Sequence, residues 1–178
     1  MEDVPLGMAA FQGKLMVGIG NTLRLYELGQ KKLLKQCELR NFGTLINQIQ
    51  VLGGDRVAVG DVTESFTMVK YNKTENRLCP FADDTVPRWL TAGLVVDYDT
   101  IAAADKFGSF ALLRLPKEVS DQVDDDTSPA LLPTNADRGY LNGSAHRYNQ
   151  VAQFHVGDTI TALQKSTLTV GGTEVLLY

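Results

Sequence analysis

The 178-residue sequence has few of the residues that build disulfide scaffolds, metal centres or membrane spans. It contains two cysteines, two histidines and one tryptophan. Two cysteines cannot make the dense disulfide framework of a small secreted domain, and isolated thiols fit a reducing compartment. No apolar run approaches the roughly 20 residues of a membrane-spanning helix, and the first residues lack the basic and apolar regions of a signal peptide. The sequence therefore predicts a cytosolic or nuclear protein.

Positive charge is also scarce. The 17 lysines and arginines are outnumbered by 21 acidic residues, which gives a net charge of −4. A chain with this balance has no general attraction for a phosphate backbone. A small basic cluster lies within the first 40 residues, at Arg24, Lys31, Lys32, Lys35 and Arg40, and no aromatic stacking platform is interleaved with it. Lysine is typical of protected edge strands, and contact with nucleic acid stays open as the alternative.

The sequence is rich instead in one repeated pattern: a short alternating strand, a tight polar turn and a second strand. When Leu15, Val57 and Ile101 are aligned as the same inward position, the steps are 42 and 44 residues. Four-stranded propeller blades repeat with a period of about 40–45 residues. The period-two alternation excludes a helical solenoid.

Each copy contains four β-rich segments bounded by Gly, Asp or Asn turn signals. The predicted strands are 6–11, 15–18, 23–28 and 32–39; then 45–52, 56–60, 65–71 and 78–82; then 89–96, 101–104, 109–115 and 151–156. A fourth copy begins at Thr159 and stops at its second strand. The pattern predicts an all-β fold, part of a WD-repeat-like β-propeller with about three four-stranded blades plus the start of a fourth.

Three and a half blades cannot close a ring, because closed propellers need about four to eight blades. We therefore expect residues 1–178 to be a partial propeller from a longer chain, with an open β-meander as the alternative. The segment Lys117–Gln150 differs in composition, with three consecutive aspartates and an Asn-Gly turn pair. It is predicted to be a mobile acidic insertion between strands, either simply solvated or used to tether a partner.

The residue constellations that carry chemistry are incomplete in this sequence. Gly18-Ile19-Gly20 begins like a dinucleotide fingerprint but lacks the third glycine and leads into a strand rather than a helix. His146 and His155 have no further ligands at metal-site spacing. No serine lies in a nucleophile-elbow motif. We expect no catalytic residue, no metal and no cofactor.

The most unusual string joins the second copy to the third and contains Asp83, Asp84, Arg88 and Trp89, the only tryptophan. Two interpretations compete. In the favoured one, the aspartates close a turn and Trp89 is buried as a wedge between the second and third blades. In the other, the group is an exposed hot spot for protein contact.

Several strings closely resemble the splicing factor 3b subunit 3 family, and the resemblance runs nearly end to end. They are FQGKLMVGIGNTLRLYELGQKKLLKQCE, PFADDTVPRW, VDYDTIAAADKFGSFALLRLP, RGYLNG and QFHVGDTITALQKSTL. Related triple-propeller families share the blade pattern without ADDTVPRW or ADKFGS. The resemblance implies a position in the third of three propellers.

The same resemblance implies a function. It is that of a non-catalytic, nuclear protein-interaction scaffold in pre-mRNA splicing, which helps to assemble the splicing factor 3b complex of the U2 small nuclear ribonucleoprotein for branch-site recognition. The implied partners are the helical-repeat subunit and the small subunits of that complex, with RNA contacted only indirectly and neither a membrane nor a small-molecule substrate involved. The alternative is a nucleic-acid-contacting propeller of the damaged-DNA-binding or cleavage and polyadenylation type. Fold analogy alone does not decide between them.

Overall fold

The computed structural model describes residues 3–40, 42–125 and 144–178. Its strands are β1 Pro5–Phe11, β2 Lys14–Ile19, β3 Thr22–Leu28, β4 Leu33–Leu39, β5 Ile46–Gly53, β6 Arg56–Asp61, β7 Ser65–Asn72, β8 Arg77–Asp83, β9 Leu90–Val95, β10 Thr100–Asp105, β11 Ser109–Arg114, β12 His146–Arg147, β13 Asn149–His155, β14 Gln164–Thr167 and β15 Glu174–Leu177. One helix, α1, spans Lys117–Asp125. Each of the twelve strands predicted for the three copies is present, and no end differs by more than two residues.

The strands form the predicted blades. Blade 1 has the order β1-β2-β3-β4, blade 2 contains β5 to β8, and blade 3 has the order β9-β10-β11-β13. Within each blade the neighbouring strands are antiparallel. The first strands lie side by side, β1 against β5 and β5 against β9, as they do around the centre of a propeller. The all-β, propeller-like prediction is confirmed.

The fourth copy is present as a two-stranded antiparallel sheet of β14 and β15. The chain before it packs on blade 3, where Ile160 is buried against Ala92 and Ala104. Thr91 also donates a hydrogen bond from its hydroxyl to the Ile160 carbonyl, at 2.6 Å. The start of a fourth blade is therefore joined to the third.

Two hydrophobic cores lie on opposite faces of blade 2, because successive side chains of a strand point to opposite faces. In β6, Val57 and Val59 belong to the core between blades 1 and 2. Ala58, between them, belongs to the core between blades 2 and 3. All three side chains are fully buried. The sequence of β6 is therefore continuously apolar at these positions, instead of alternating between apolar and polar residues.

The blades approach closely where glycines stand on the facing strands. A Cβ added to Gly18 would lie 2.4 Å from Cγ2 of Ile46, and one added to Gly93 would lie 2.2 Å from Cζ of Phe66. Contacts this short do not occur between real side chains. Glycine at these two positions lets neighbouring blades meet without a gap.

The predicted insertion, residues 117–150, differs from expectation at both described ends, and residues 126–143 lie outside the described part of the chain. We expected an irregular loop, yet its first nine residues form α1. The helix forms because Val119 and Val123, four residues apart, face the core between blades 2 and 3. At the other end, β12 pairs in parallel with β8, so the insertion returns across blade 2 before it enters blade 3.

Buried cations hold the C-terminal half of α1. Arg56 donates to the Ser120 carbonyl at 2.7 Å, and Lys70 donates to the Val123 carbonyl at 2.5 Å. The cation at the Val123 carbonyl, in the last turn, also interacts favourably with the helix dipole. In the described residues, no helix is long and apolar enough to cross a membrane.

Cys37 and Cys79 lie in the outer strands β4 and β8 as free thiols, as predicted. Burial raises the pKa of both thiols above the usual value. A raised pKa reduces the thiolate fraction, and the thiolate is the reactive form of cysteine. These two side chains therefore behave as packing residues.

Candidate protein interface

The string between blades 2 and 3 divides into a buried part and an exposed part. Asp83 and Arg88 are buried, and the Asp84 side chain is almost completely covered. Trp89 is 44% exposed. The residues that the sequence grouped as one candidate site therefore have different roles.

Asp84 and Arg88 form a buried brace across the loop. The Arg88 Nε lies 2.8 Å from Oδ2 of Asp84, and the same carboxylate accepts hydrogen bonds from the Ser65 hydroxyl at 2.8 Å and the Val86 amide at 3.1 Å. Arg88 also donates to Oε1 of Gln150 at 2.6 Å. These contacts tie the loop to both neighbouring blades and leave neither charge available to a partner.

Asp83 anchors the end of the insertion. Its carboxylate pairs with Arg147, and its carbonyl accepts a hydrogen bond from the Tyr148 amide at 3.0 Å. Burial raises the pKa of the Tyr148 hydroxyl well above 10, and the nearby Asp84 carboxylate raises it further. Asp83 thus holds the chain in place rather than contacting solvent.

The prediction that Trp89 is a buried wedge between blades is wrong. Strand β9 starts one residue later, and it is Leu90, 4% exposed, that enters the core beside Phe66. Since consecutive side chains point to opposite sides of an extended chain, Trp89 lies outside that core. It contacts the turn between β10 and β11 instead.

We call Trp89, Lys106 and Phe107 the aromatic rim. The two rings meet edge to face with their centroids 6.5 Å apart, and Phe107 is 61% exposed. The Lys106 ammonium lies 3.2 Å from the centroid of Trp89 and 5.0 Å from that of Phe107. Both distances fall within the range of cation–π attraction.

The turn that carries Lys106 and Phe107 is held rigidly. The buried Asp105 carboxylate accepts hydrogen bonds from the Phe107 and Ser109 amides, each at 2.9 Å. Gly108 has a φ of 82°, and a Cβ there would lie 2.8 Å from the Asp158 carbonyl oxygen. The Lys106 amide donates to the Trp89 carbonyl at 3.0 Å, which joins the two halves of the rim.

Sequence reasoning placed Trp89 in a candidate site but missed Lys106 and Phe107. The sequence feature that could have identified Phe107 is a large aromatic residue inside a tight turn, between Asp105 and Gly108, where small polar residues are usual. Nothing in the sequence alone brought that turn next to Trp89, which lies 17 residues earlier.

Three of the five residues in the basic cluster of blade 1 pair with one acidic residue. Glu38 pairs with Arg24 at 3.3 Å, with Lys35 at 3.1 Å and with Arg40 at 2.5 Å. Hydrogen bonds from Lys35 and Arg40 lower the pKa of Glu38. Arg24, Lys35 and Arg40 therefore belong to a local ion-pair network on the outer strands of blade 1.

The described residues hold no group of three or more His, Cys, Asp or Glu side chains that could bind a metal ion. The two histidines belong to different strands, His146 to β12 and His155 to β13. Burial lowers the pKa of His146.

Comparison with known proteins gives matches over the whole chain. The family model described as "CPSF A subunit region" matches residues 1–178. Splicing factor 3B subunit 3 of Danio rerio and probable splicing factor 3B subunit 3 of Dictyostelium discoideum are each 48% identical over 178 residues. Spliceosome-associated protein 130 A of Arabidopsis thaliana is 47% identical.

Each alignment covers 100% of this chain and 14% of the relative, so the chain corresponds to a small part of those proteins. The resemblance found in the sequence strings is confirmed. On the match of the family model from the first residue to the last, the chain belongs to the family of the CPSF A subunit region.

Proposed function

We propose that this chain is part of a non-catalytic protein-interaction scaffold in pre-mRNA splicing. It helps to assemble the splicing factor 3b complex of the U2 small nuclear ribonucleoprotein for branch-site recognition, and it acts in the nucleus. The observation that carries the proposal is the alignment of all 178 residues with relatives named splicing factor 3B subunit 3, at 46–48% identity. Its partners are the helical-repeat subunit and the small subunits of that complex.

The surface supports a role in protein contact. Rigid β-blades carry exposed aromatic side chains on turns that hydrogen bonds hold in place, as at Phe107 and Trp89. Aromatic residues that are fixed before binding dominate many protein interfaces, since little entropy is lost when the partner arrives. RNA is then reached through the partners.

A nucleic-acid-contacting propeller of the damaged-DNA-binding or cleavage and polyadenylation type is the second candidate. The family description favours it, as does the lysine on the aromatic rim, because bases stack on aromatic rings. The charge distribution counts against it. Arg88 is paired with Asp84, Arg40 is paired with Glu38, and the chain carries a net charge of −4.

The test uses the full-length protein that contains this chain. We expect it to retain purified splicing factor 3b subunits in a pull-down, and chemical crosslinks to join lysines of this segment, Lys106 among them, to those subunits. Filter binding of single-stranded RNA at two salt concentrations gives the comparison. Failure to retain any subunit, together with RNA binding that falls steeply with salt, contradicts the proposal and favours the second candidate.

A further inference from the structure

We propose that the aromatic rim is a docking site for a partner-protein segment that carries an apolar side chain next to a carboxylate. The apolar side chain packs on the rings of Trp89 and Phe107, and the carboxylate pairs with Lys106. This inference rests on the proposed function, because it specifies the chemistry of one contact of the scaffold.

The apolar half of the site is exposed on one end of blade 3. Trp89 precedes β9, and Phe107 lies in the turn between β10 and β11, so the antiparallel strands bring both to the same edge. Val86, in the loop that leads to Trp89, is 43% exposed. Two large rings and a nearby aliphatic side chain in water form the kind of patch that protein partners cover.

The charged half of the site is Lys106. Its ammonium lies over both rings, and the side chain is exposed. Within the described part of the chain it forms a salt bridge with no carboxylate; the charges nearby are already engaged, Arg88 with Asp84 and Asp105 with backbone amides. A carboxylate from outside therefore completes the ion pair.

The site is fixed before a partner binds. The Thr159 hydroxyl donates to the Lys106 carbonyl at 3.0 Å, and the Val156 amide donates to the Gly108 carbonyl at 2.7 Å. These bonds add to those from Asp105 that hold the Phe107 amide. A partner meets side chains whose backbone is already ordered, which reduces the entropy lost on binding.

The surroundings favour a protein segment over RNA. Binding of single-stranded nucleic acid combines stacking rings with a positively charged groove that follows the backbone. Here a single lysine follows Asp105 in the sequence, Arg88 is already paired with Asp84, and the whole chain carries a net charge of −4. A row of phosphates is repelled at such a place, whereas a single carboxylate has one cation to meet.

The first experiment measures exposure in the complete protein. Hydroxyl-radical footprinting of the full-length protein, alone and in complex with purified splicing factor 3b subunits, reports oxidation of Trp89 and Phe107. We expect both side chains to be oxidised in the free protein and protected in the complex. Rings that are already protected in the free protein overturn the proposal, since another part of the same chain then covers them.

The second experiment measures affinity for the subunit that gives the protection. Trp89→Ala is expected to raise the Kd of the complex with that subunit at least about tenfold, as at other aromatic hot spots. Lys106→Met keeps the aliphatic stem and removes the charge, so it is expected to raise the Kd less and to weaken its dependence on salt. Lys106→Glu is expected to weaken binding more than Lys106→Met does.

Phe154→Ala is the matched control. Phe154 is also an exposed phenylalanine with one ring contact, to Phe110, at a centroid distance of 6.3 Å, but it lies on the outer strand β13. The Kd of the Phe154→Ala variant for the subunit is expected to equal that of the wild type. Unchanged binding of Trp89→Ala and Lys106→Glu, with the wild type still bound to the subunits, overturns the docking site and leaves the proposed function intact.

If the wild-type protein itself binds none of the subunits, that result counts against the proposed function instead. A single-stranded RNA oligonucleotide is tested on the same variants. If it binds the wild type and Trp89→Ala abolishes that binding, the rim is a base-stacking site and the protein-docking proposal is wrong.

Discussion

At the scale of single residues, Trp89 and Leu90 are neighbours with opposite surroundings. Trp89 is half exposed at the rim, and Leu90 is buried with Phe66 in the core between blades 2 and 3. Leu90 is thus removed almost completely from water on folding, whereas Trp89 leaves nearly half of its larger surface exposed. Whether a side chain is buried here depends more on its position relative to the start of β9 than on its size.

A pair of truncations tests this contrast in the full-length protein. Leu90→Ala is expected to lower the free energy of unfolding by about 2–5 kcal/mol, the usual range for a buried leucine. Trp89→Ala is expected to lower it by less than Leu90→Ala does, because nearly half of the Trp89 side chain is already exposed in the folded chain. Denaturant midpoints of both variants give the measurement. A larger loss for Trp89→Ala than for Leu90→Ala would restore the inter-blade wedge.

At the scale of elements, Arg56 is the buried cation that makes the most contacts with α1. Arg56 contacts the Ser120 hydroxyl and carbonyl, Asp99 and Asp124, and lies 4.5 Å from the ring centroid of Tyr98. Its side chain is fully buried, whereas the Asp124 side chain is 46% exposed. The helix is therefore attached to blade 2 by a charge that the blade itself buries.

Replacing Arg56 tests this attachment. Arg56→Ala is expected to lower the free energy of unfolding by about 1.5–3 kcal/mol, the range for loss of hydrogen bonds to a charged group, and to increase hydrogen exchange across 117–125. Arg40→Ala, which removes an exposed ion pair with Glu38, is expected to cost less than about 1 kcal/mol. Unchanged exchange of α1 in Arg56→Ala would show that the apolar contacts of Val119 and Val123 suffice.

The pairing of β12 with β8 is expected to weaken in acid. Burial lowers the pKa of His146 below its ordinary value of 6.5, and its Nε2 has no hydrogen-bond partner among the described residues. The unpaired strand therefore binds a proton more readily than the paired one. The stability of the pairing is full above pH 6.5 and declines as the pH falls through that value.

Hydrogen exchange at residues 146–148, corrected for intrinsic rates, measures this effect between pH 7.5 and 5.5. Protection is expected to fall in the wild type and to become insensitive to pH in His146→Gln. His155→Gln is the control, because His155 is the other histidine of this chain and is exposed. Equal protection at both pH values in the wild type would contradict the prediction.

At the scale of the whole molecule, the two larger cores lie on opposite faces of blade 2. Ile46 belongs to the core between blades 1 and 2, and Ile101 to the core between blades 2 and 3; both are fully buried. The two clusters share no residue. Small changes in one core are therefore expected to leave the other unaffected.

A double-mutant cycle checks this independence. Ile46→Val and Ile101→Val are each expected to cost about 0.5–1.5 kcal/mol, and the double variant is expected to cost their sum within about 0.5 kcal/mol. Chemical denaturation of the full-length protein gives the three values. An interaction energy above about 1 kcal/mol would mean that the sheet of blade 2 transmits strain from one core to the other.

The sequence by itself determined which residues form the strands of the three blades. The alternation of apolar and polar residues, the Gly and Asp turns and the 42- and 44-residue steps are local signals, and they located the strands of the three copies to within one or two residues at each end. Local signals suffice because strand period and turn chemistry are properties of neighbouring residues. The family resemblance was equally available from strings in the sequence.

Only the tertiary structure decided the helix and the rim. Helix α1 forms where Arg56 and Lys70, more than 40 residues earlier in the chain, meet its carbonyls, and the acidic sequence of α1 concealed this support. The rim needs Trp89 beside Phe107, a contact made by the antiparallel pairing of β9, β10 and β11. A residue at the start of a strand can face either the core or the solvent. These long-range contacts decide between the two, because a shift of one residue in strand register moves a side chain from the core to the solvent.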